Sequence, residues 1–353
     1  MSGRTDEPAA PAEPEVVPTG RRRRYGRPAF YGLSAAIVGW AMAVTPLPYV
    51  ELVPGTPSAI PPLIEVSGTE TTPIDGETTL LTIFLRDVTP WRWLGAQLDG
   101  DRELRDVSEF VPGGDLTDDF FAQERQNFAR QFQVATAVGA EAAGVEVSLT
   151  TAVLVANVLA ESPAAGELLP GDRILAYDGA PIATGEELQA LTRAGEAGQE
   201  VTIRVAHGGQ ERDVEVVLDT IGNTDTVALG VQVETVADGL DLPFEVALGD
   251  TRIGGPSAGL MMALTVYDLL SEEDLVAGRT IAGTGTIDAE GRVGRVGGVA
   301  EKMVAAAEHG ADLVLVPSDQ LEDAMSTAPP GLAVVPVDTF DQALELLRAG
   351  RDP

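Results

Sequence analysis

Gly254-Gly255-Pro256-Ser257-Ala258-Gly259, followed by an apolar run from Leu260 to Leu270, is the stretch that decides the fold of this chain. A proline at the start of such a run is typical of the first turn of a helix, so we predict a helix over residues 256–270. Ser257 would lie where unpaired backbone amides and the helix dipole favour negative charge. Ser257 either caps the helix or is a nucleophile. In the second case the backbone amides of Gly255 and Ser257 would hold the oxyanion that forms on the attacked carbonyl.

Lys302 is the only lysine in the chain, because the other 22 of its 23 basic residues are arginines. Arginine keeps its proton at any accessible pH, whereas a buried lysine can lose it. Val299, Met303 and Ala306 surround Lys302 at helical spacing, which predicts that its stem follows an apolar face where burial lowers the pKa. Lys302 is therefore either a snorkelling surface residue or a neutral amine that acts as general base to a serine.

Composition excludes several classes of function. The 353 residues contain no cysteine and only two histidines, His207 and His309, for which we expect no catalytic role. No metal site or cofactor is predicted. The net charge is −32; residues 1–28 carry six arginines and four acids, a net of +2, which leaves −34 for the rest. An acidic body repels nucleic acid, so a nucleic-acid partner is not expected.

The amino-terminal residues indicate a membrane anchor. Residues 1–28 read as a disordered tail that ends in the basic run Arg21–Arg24. Residues 29–50 carry no charge, and about 20 apolar residues span a bilayer. The preceding arginines predict a single transmembrane helix in the cytoplasmic membrane, with the N-terminus inside and the body outside. Ala41-Met42-Ala43 leaves open a cleaved signal peptide instead.

Residues 51–148 predict an extracytoplasmic linker region of short strands and one helix. Strand-like runs occupy residues 63–66 and 78–85, and Asp75-Gly76 predicts a hairpin turn between them. Residues 117–143 have phenylalanines at roughly helical spacing, which predicts a helix that packs against the body.

Residues 149–220 predict a small β-rich domain. Ser162-Pro163-Ala164-Ala165-Gly166, Pro170-Gly171-Asp172-Arg173-Ile174 and Asp178-Gly179 make it resemble a PDZ domain of the bacterial protease type. The resemblance implies that the domain adds an extended peptide or a C-terminal segment to its sheet edge. Residues 149–152 lack the glycine-rich loop that holds a terminal carboxylate in that family. Capture of a C-terminus, binding of an internal segment and a packing role all stay open.

Residues 224–350 alternate strands and helices, which predicts an α/β layer. Three motifs in order, the Ser257 stretch, Ala282-Gly283-Thr284-Gly285-Thr286-Ile287 and the segment Gly291–Lys302, make this region resemble the proteolytic domain of Lon proteases. The resemblance implies a Ser-Lys dyad, with Ser257 as nucleophile, Lys302 as general base and Thr284 as the threonine that supports the dyad. Many Lon enzymes have Asp where this chain has Gly254.

The whole sequence therefore predicts an α+β protein with a transmembrane helix, a PDZ-like domain and a Lon-type domain. The P-loop pattern GxxxxGK[ST] is absent from these residues, so we predict no ATP requirement. The predicted function is a serine endopeptidase that cleaves peptides or unstructured segments outside the cytoplasmic membrane, using the PDZ-like domain to bind substrate. The alternatives are a tethered adaptor with an inactive Lon-like scaffold, and a protein that cleaves only itself. Lon-like domains often form rings, which predicts a homo-oligomer by resemblance alone.

Overall fold

A computed structural model describes residues 26–99, 104–109, 116–220 and 226–350. The chain divides into two compact units, residues 1–47 with 88–101, and residues 48–87 with 102–353. Most of the predicted disordered tail, with Arg21–Arg24, lies outside the described residues. The helices are α1 Gly26–Val44, α2 Pro90–Asp99, α3 Asp118–Ala142, α4 Gly185–Ala194, α5 Gly259–Leu270, α6 Val299–His309, α7 Leu321–Thr327 and α8 Phe340–Ala349.

The described strands all lie in the second unit and are short, apart from β7 and β14, which have eleven residues each. They are β1 Tyr49–Pro54, β2 Ser58–Ala59, β3 Ile64–Ser67, β4 Glu77–Leu80, β5 Ile83–Asp87, β6 Leu104–Asp106, β7 Ser148–Val158, β8 Arg173–Tyr177, β9 Ala180–Pro181, β10 Glu200–His207, β11 Gln210–Val217, β12 Asp219–Thr220, β13 Val227–Ala228, β14 Val231–Asp241, β15 Glu245–Leu248, β16 Thr280–Gly283, β17 Thr286–Ile287, β18 Val293–Gly294, β19 Leu313–Pro317 and β20 Ala333–Val337. The mixture of helices and strands confirms the predicted α+β class.

The first unit contains α1 and α2. The predicted transmembrane helix at residues 29–50 is not supported, because none of the helices in the described ranges combines the length and apolarity that a membrane span requires. Helix α1 ends at Val44, before Pro46 and Pro48, neither of which can donate a helical hydrogen bond. The last two residues of the predicted span, Tyr49 and Val50, already belong to β1.

A five-stranded sheet forms the centre of the second unit. Its order is β2-β4-β16-β19-β20, with β4, β16, β19 and β20 parallel and β2 antiparallel at one edge. Successive side chains point to opposite faces, so Ile281 packs with the cluster that contains α5, and Ala282 packs with the cluster that contains α6. Because both faces are covered, β19 and β20 are apolar on both sides, whereas β4 buries the polar side chains of Thr78 and Thr79.

Residues 51–148, predicted as a linker region, supply parts of this core. Strand β4 lies between β2 and β16 in the sheet. The helix predicted at residues 117–143 is confirmed as α3, which Thr117 caps by accepting a hydrogen bond from the Phe120 amide. Phe128 and Phe132 of α3 are buried in one cluster with α5. Helix α3 is therefore part of the body that carries Ser257.

A second sheet holds the predicted PDZ-like domain. Its order is β11-β10-β8-β7-β14, with β9 paired to β8. The side chains that the sheet and α4 bury together form a separate cluster around Ile174, Ile203 and Leu188. Asp172, fully buried directly before β8, accepts hydrogen bonds from the Leu169 amide and the Arg212 guanidinium. Asp172 of the PDZ-like motif thus anchors this domain.

Candidate active site

Ser257 lies in a turn directly before α5. The predicted helix start at Pro256 is wrong by three residues, since α5 begins at Gly259 and Ala258 is its N-cap, without a side-chain capping bond. Ser257 therefore does not cap the helix. Its side chain is half-buried. The hydroxyl lies beside the helix start and makes no capping hydrogen bond to it.

Two consecutive residues after β16 hold the backbone of Ser257. The Gly285 amide and the Thr284 hydroxyl both donate to the Ser257 carbonyl, at 2.9 Å and 3.2 Å. In return the Leu260 amide donates to the Gly285 carbonyl at 3.1 Å. The Thr284 amide is itself bonded to the Leu315 carbonyl on β19. The segment that carries Ser257 is thus fixed to the carboxyl end of the central strands.

Lys302 reaches the same point from the opposite face of the sheet. Its side chain is 2% exposed and its Nζ donates to Thr284 Oγ1 at 2.9 Å. Gly298 starts α6 in the left-handed region with φ of 65°, and a Cβ there would lie 2.7 Å from Ile83 Cγ2. Only glycine fits at this N-cap position. Gly298 therefore sets where α6 begins and the direction in which the Lys302 side chain points.

Burial changes the acid–base character of Lys302. Desolvation lowers the pKa of its amine from 10.5 to about 7, and the charge of neighbouring Glu301 acts in the opposite direction. A snorkelling surface lysine is thereby excluded. An amine with a pKa near 7 is partly neutral at neutral pH, as a general base must be.

The direction of the hydrogen bonds leaves the lysine lone pair available. Thr284 uses its single hydroxyl hydrogen on the Ser257 carbonyl, so it can only accept from Lys302. A neutral amine that donates to Thr284 keeps its lone pair for another group. Within the described ranges no hydrogen bond joins Ser257 Oγ to Lys302 Nζ directly, and the two residues meet through Thr284. Such contacts are often longer without substrate and tighten when it binds.

The two backbone amides predicted to hold an oxyanion, those of Gly255 and Ser257, differ in whether they are already hydrogen-bonded. The Gly255 amide donates to the Glu124 carbonyl on α3 at 2.9 Å. The Ser257 amide makes no hydrogen bond in the part of the chain that the structure describes. Helix α3 therefore covers one of the two donors, while the other stays available. Burial raises the pKa of the Glu124 carboxyl, and the charge of Glu234 adds to the effect.

Gln131 was missed by the sequence analysis. Its side chain is 8% exposed, and its Nε2 donates to the Ile287 carbonyl at 2.7 Å. A Cβ on Gly259 would lie 2.6 Å from the same Nε2, so the helix start closes directly onto Gln131. Gln131 thus links α3, the first residue of α5 and the strand that follows Thr284. A polar residue between Phe128 and Phe132 on the apolar face of α3 was the available signal.

An open groove of about 810 Å³ runs beside the segment that carries Ser257. Its walls come from α3, β14, the start of α4 and the β17–β18 turn, and they include Gln131, Glu234, Thr235, Pro256, Ile287 and Arg292. Pro256 directly precedes Ser257. The groove is large enough for several residues of an extended peptide.

Comparison with known proteins bears out both resemblances. Residues 224–349 match the Lon protease (S16) C-terminal proteolytic domain, and residues 131–218 match the PDZ domain. The chain carries a Lon-type proteolytic domain after a PDZ domain. The Lon domain contains Ser257, Thr284 and Lys302, whereas α3 is divided, with residues 118–130 before both matched regions and residues 131–142 within the PDZ match.

Curated relatives match through the Lon domain. The Lon protease of Rickettsia bellii is 33% identical over 120 residues, which are 33% of this chain and 15% of that protein. The Lon protease of Azospirillum brasilense is 34% identical over 122 residues, again 33% of this chain and 15% of that protein. This chain thus spans about 15% of the length of these relatives.

Solved structures match through the PDZ domain. The PDZ domains of the SdrC-like proteins from Listeria monocytogenes and Listeria innocua are 27% and 28% identical to this chain. Each covers 23% of this chain, and the match extends over 85% and 92% of those chains, with TM-scores of 0.22 and 0.23.

Proposed function

We propose that this protein is a serine endopeptidase in which Ser257 is the nucleophile and Lys302 the general base. Ser257 Oγ attacks the scissile carbonyl carbon while its proton moves to the neutral Lys302 amine. The C–N bond then breaks, and the leaving amine takes that proton from Nζ. Water attacks the Ser257 ester and gives one proton to Nζ. The proton returns to Oγ as the acid product leaves.

One observation carries this proposal. Lys302, the only lysine in the sequence, is 2% exposed. Its amine donates a hydrogen bond to the Thr284 hydroxyl, which itself donates to the Ser257 carbonyl. A buried, unpaired cation is costly, so a structural role alone does not explain an amine at this position. Its lowered pKa fits the requirement for a base near neutral pH.

The substrate that fits is an extended or unfolded polypeptide. The groove beside Pro256 is open to solvent and accommodates a strand-like segment rather than a folded domain. We propose that cleavage needs no ATP, since these residues contain no P-loop sequence. Stable folded proteins would have to be unfolded before cleavage, so we expect them to be poor substrates.

The decisive experiment compares the intact protein with Ser257→Ala on a fluorogenic unstructured peptide, with and without ATP. Cleavage by the intact protein alone, independent of ATP, supports the proposal. No cleavage by the intact protein of any peptide in a broad substrate library would favour the adaptor alternative. Cleavage that Ser257→Ala retains would exclude Ser257 as nucleophile. Mixing intact protein with Ser257→Ala also shows whether any self-cleavage occurs between molecules.

We also propose that the chain is attached to the cytoplasmic membrane, with the catalytic body outside. The support is sequence alone: Arg21–Arg24 and Arg27 precede the uncharged residues 28–50. Carbonate extraction of membranes and protease treatment of intact cells test this directly. Release by carbonate, or protection from external protease, would refute the location without touching the catalytic proposal. Assembly into a ring stays a prediction.

A further inference from the structure

The edge strand of the PDZ-domain sheet comes from the Lon domain. Strands β7, β8, β10 and β11 lie within the residues that match the PDZ domain, 131–218. Strand β14, Val231–Asp241, lies within the residues that match the Lon domain, 224–349, and pairs with β7. The sheet therefore crosses from one domain to the next at β7.

The pairing between β7 and β14 is extensive. The two strands run antiparallel from Val231 opposite Val158 to Asp241 opposite Ser148. Along the other edge of β7, only Val153 and Leu154 are paired with β8. Strand β7 therefore has more partners in the Lon domain than in its own domain.

Strand β14 occupies the hydrogen-bonding groups that an added peptide would need. Val155 bonds on the β8 side, since its amide donates to the Asp172 carbonyl and its carbonyl accepts from the Gly171 amide. Neighbouring residues in a strand point their backbone groups to opposite sides. Ala152 and Leu154 therefore point toward β14, where their register partners are Val236 and Glu234.

Helix α4 closes the other side of β14. The Gly185 amide at the start of α4 donates to Thr235 Oγ1 at 2.9 Å. Val233 packs so closely that a Cβ on Gly185 would lie 3.1 Å from its Cγ2. Just before β14, Leu229 is 3% exposed within the hydrophobic cluster of the PDZ domain. Residues 229–235 are thus built into the PDZ domain.

We infer that the PDZ domain binds a segment of its own chain, residues 231–241, and that this edge is not a receptor for external peptides. The bound segment is internal and continues past Ser148 into the Lon domain, which explains why residues 149–152 contain no glycine-rich carboxylate loop. Strand β14 also lines the groove beside Pro256. The PDZ domain thereby holds one wall of the catalytic groove in place.

A disulfide across the two strands tests the permanence of this pairing. The parent chain has no cysteine, so Ser148→Cys with Asp241→Cys introduces one pair only. Both residues are exposed, and opposite residues of an antiparallel pair lie at a distance that suits a disulfide. We expect complete oxidation within the monomer and unchanged peptide cleavage before and after dithiothreitol. The single variant Ser148→Cys is the control.

Failure of the disulfide to form in the folded double variant would overturn the inference. So would an oxidised form that is inactive until reduced, since β14 would then have to leave β7 during catalysis. Disulfide formation is measured by mass and does not depend on activity. The inference can therefore fail or hold separately from the proposed peptidase function.

A binding experiment on the unmodified protein gives a second readout. The probes are fluorescent peptides with the sequence of residues 231–241, one with a free C-terminus and one amidated. We expect no saturable change in anisotropy for either. Hydrogen exchange should show slow amides at Ala152 and Leu154, unaffected by the peptides. Saturable binding that alters exchange at these two residues would show an open receptor edge and refute the inference.

Discussion

Lys302 Nζ lies 2.9 Å from Thr284 Oγ1, in a place that leaves 2% of the lysine and none of the threonine exposed. Thr284 in turn holds the carbonyl of Ser257. A single hydroxyl thus connects the backbone of the proposed nucleophile to the amine of the proposed base. The proposed dyad depends on this connection.

Replacing Lys302 by Met should abolish peptide cleavage and increase stability. A pKa that falls from 10.5 to about 7 corresponds to roughly 5 kcal/mol between the two protonation states. Between these pH values the unfolded chain binds more protons than the folded one, so the intact protein gains stability as pH rises from 7 to 10. The variant lacks this gain. Denaturant unfolding of both proteins at pH 7 and pH 10 measures it.

We expect Lys302→Met to be more stable than the intact protein at pH 7 by a margin that shrinks toward pH 10. Arg295→Met is the control, since Arg295 is an exposed cation paired with Asp319 and its removal should produce no such pH dependence. A margin that stays constant from pH 7 to pH 10 would show that burial does not depress the lysine pKa.

Thr284→Val should lower kcat by about 100-fold, the usual scale for disturbed proton transfer. Valine matches the shape of threonine but neither accepts from Lys302 nor donates to the Ser257 carbonyl. The Gly285 amide still holds that carbonyl, so KM should change little. Steady-state kinetics on one fluorogenic peptide provides the measurement. Thr284→Ser restores the hydroxyl and should recover most of the activity; equal losses in both variants would argue against a role for Oγ1.

Gln131→Leu should reduce kcat more than it changes KM. The variant leaves the buried Ile287 carbonyl without its side-chain donor, which costs roughly 1–3 kcal/mol of stability. It also loosens the contact between α3 and the helix start at Gly259. Asn127→Leu, one turn earlier in the same groove wall, is the matched control because it leaves the Ile287 bond intact. If both variants lose activity equally, Gln131 acts only through the groove surface.

Several elements of the site could be predicted from the sequence. A lone lysine among arginines indicated Lys302, and its burial follows from the apolar neighbours of α6. The bounds of α3 were predicted within one residue at each end, because its phenylalanines repeat at helical spacing. These signals are local, and local periodicity is what a single sequence displays best.

Long-range pairing could not be predicted. The hairpin expected at Asp75-Gly76 is wrong, because β3 pairs with β15 and β4 pairs with β16. The chain bends at these residues, but the Asp75 carbonyl accepts a hydrogen bond from the Gly278 amide rather than closing a hairpin. Turn residues indicate the local geometry of the chain, but they do not indicate which distant strand will pair with a given strand. For the same reason the insertion of β14 at the PDZ edge left no trace in the sequence beyond the missing glycines.

The most direct test of the central claim is the pH dependence of covalent labelling of Ser257 by a peptidyl phosphonate ester. Labelling needs the nucleophile and its base but no later step, so its rate follows the fraction of neutral Lys302. We predict a rate that rises with pH, with a midpoint near 7, and labelling that is lost in Lys302→Met. A rate that is flat between pH 5 and pH 9, or a Lys302→Met variant that labels as fast as the intact protein, would contradict the account.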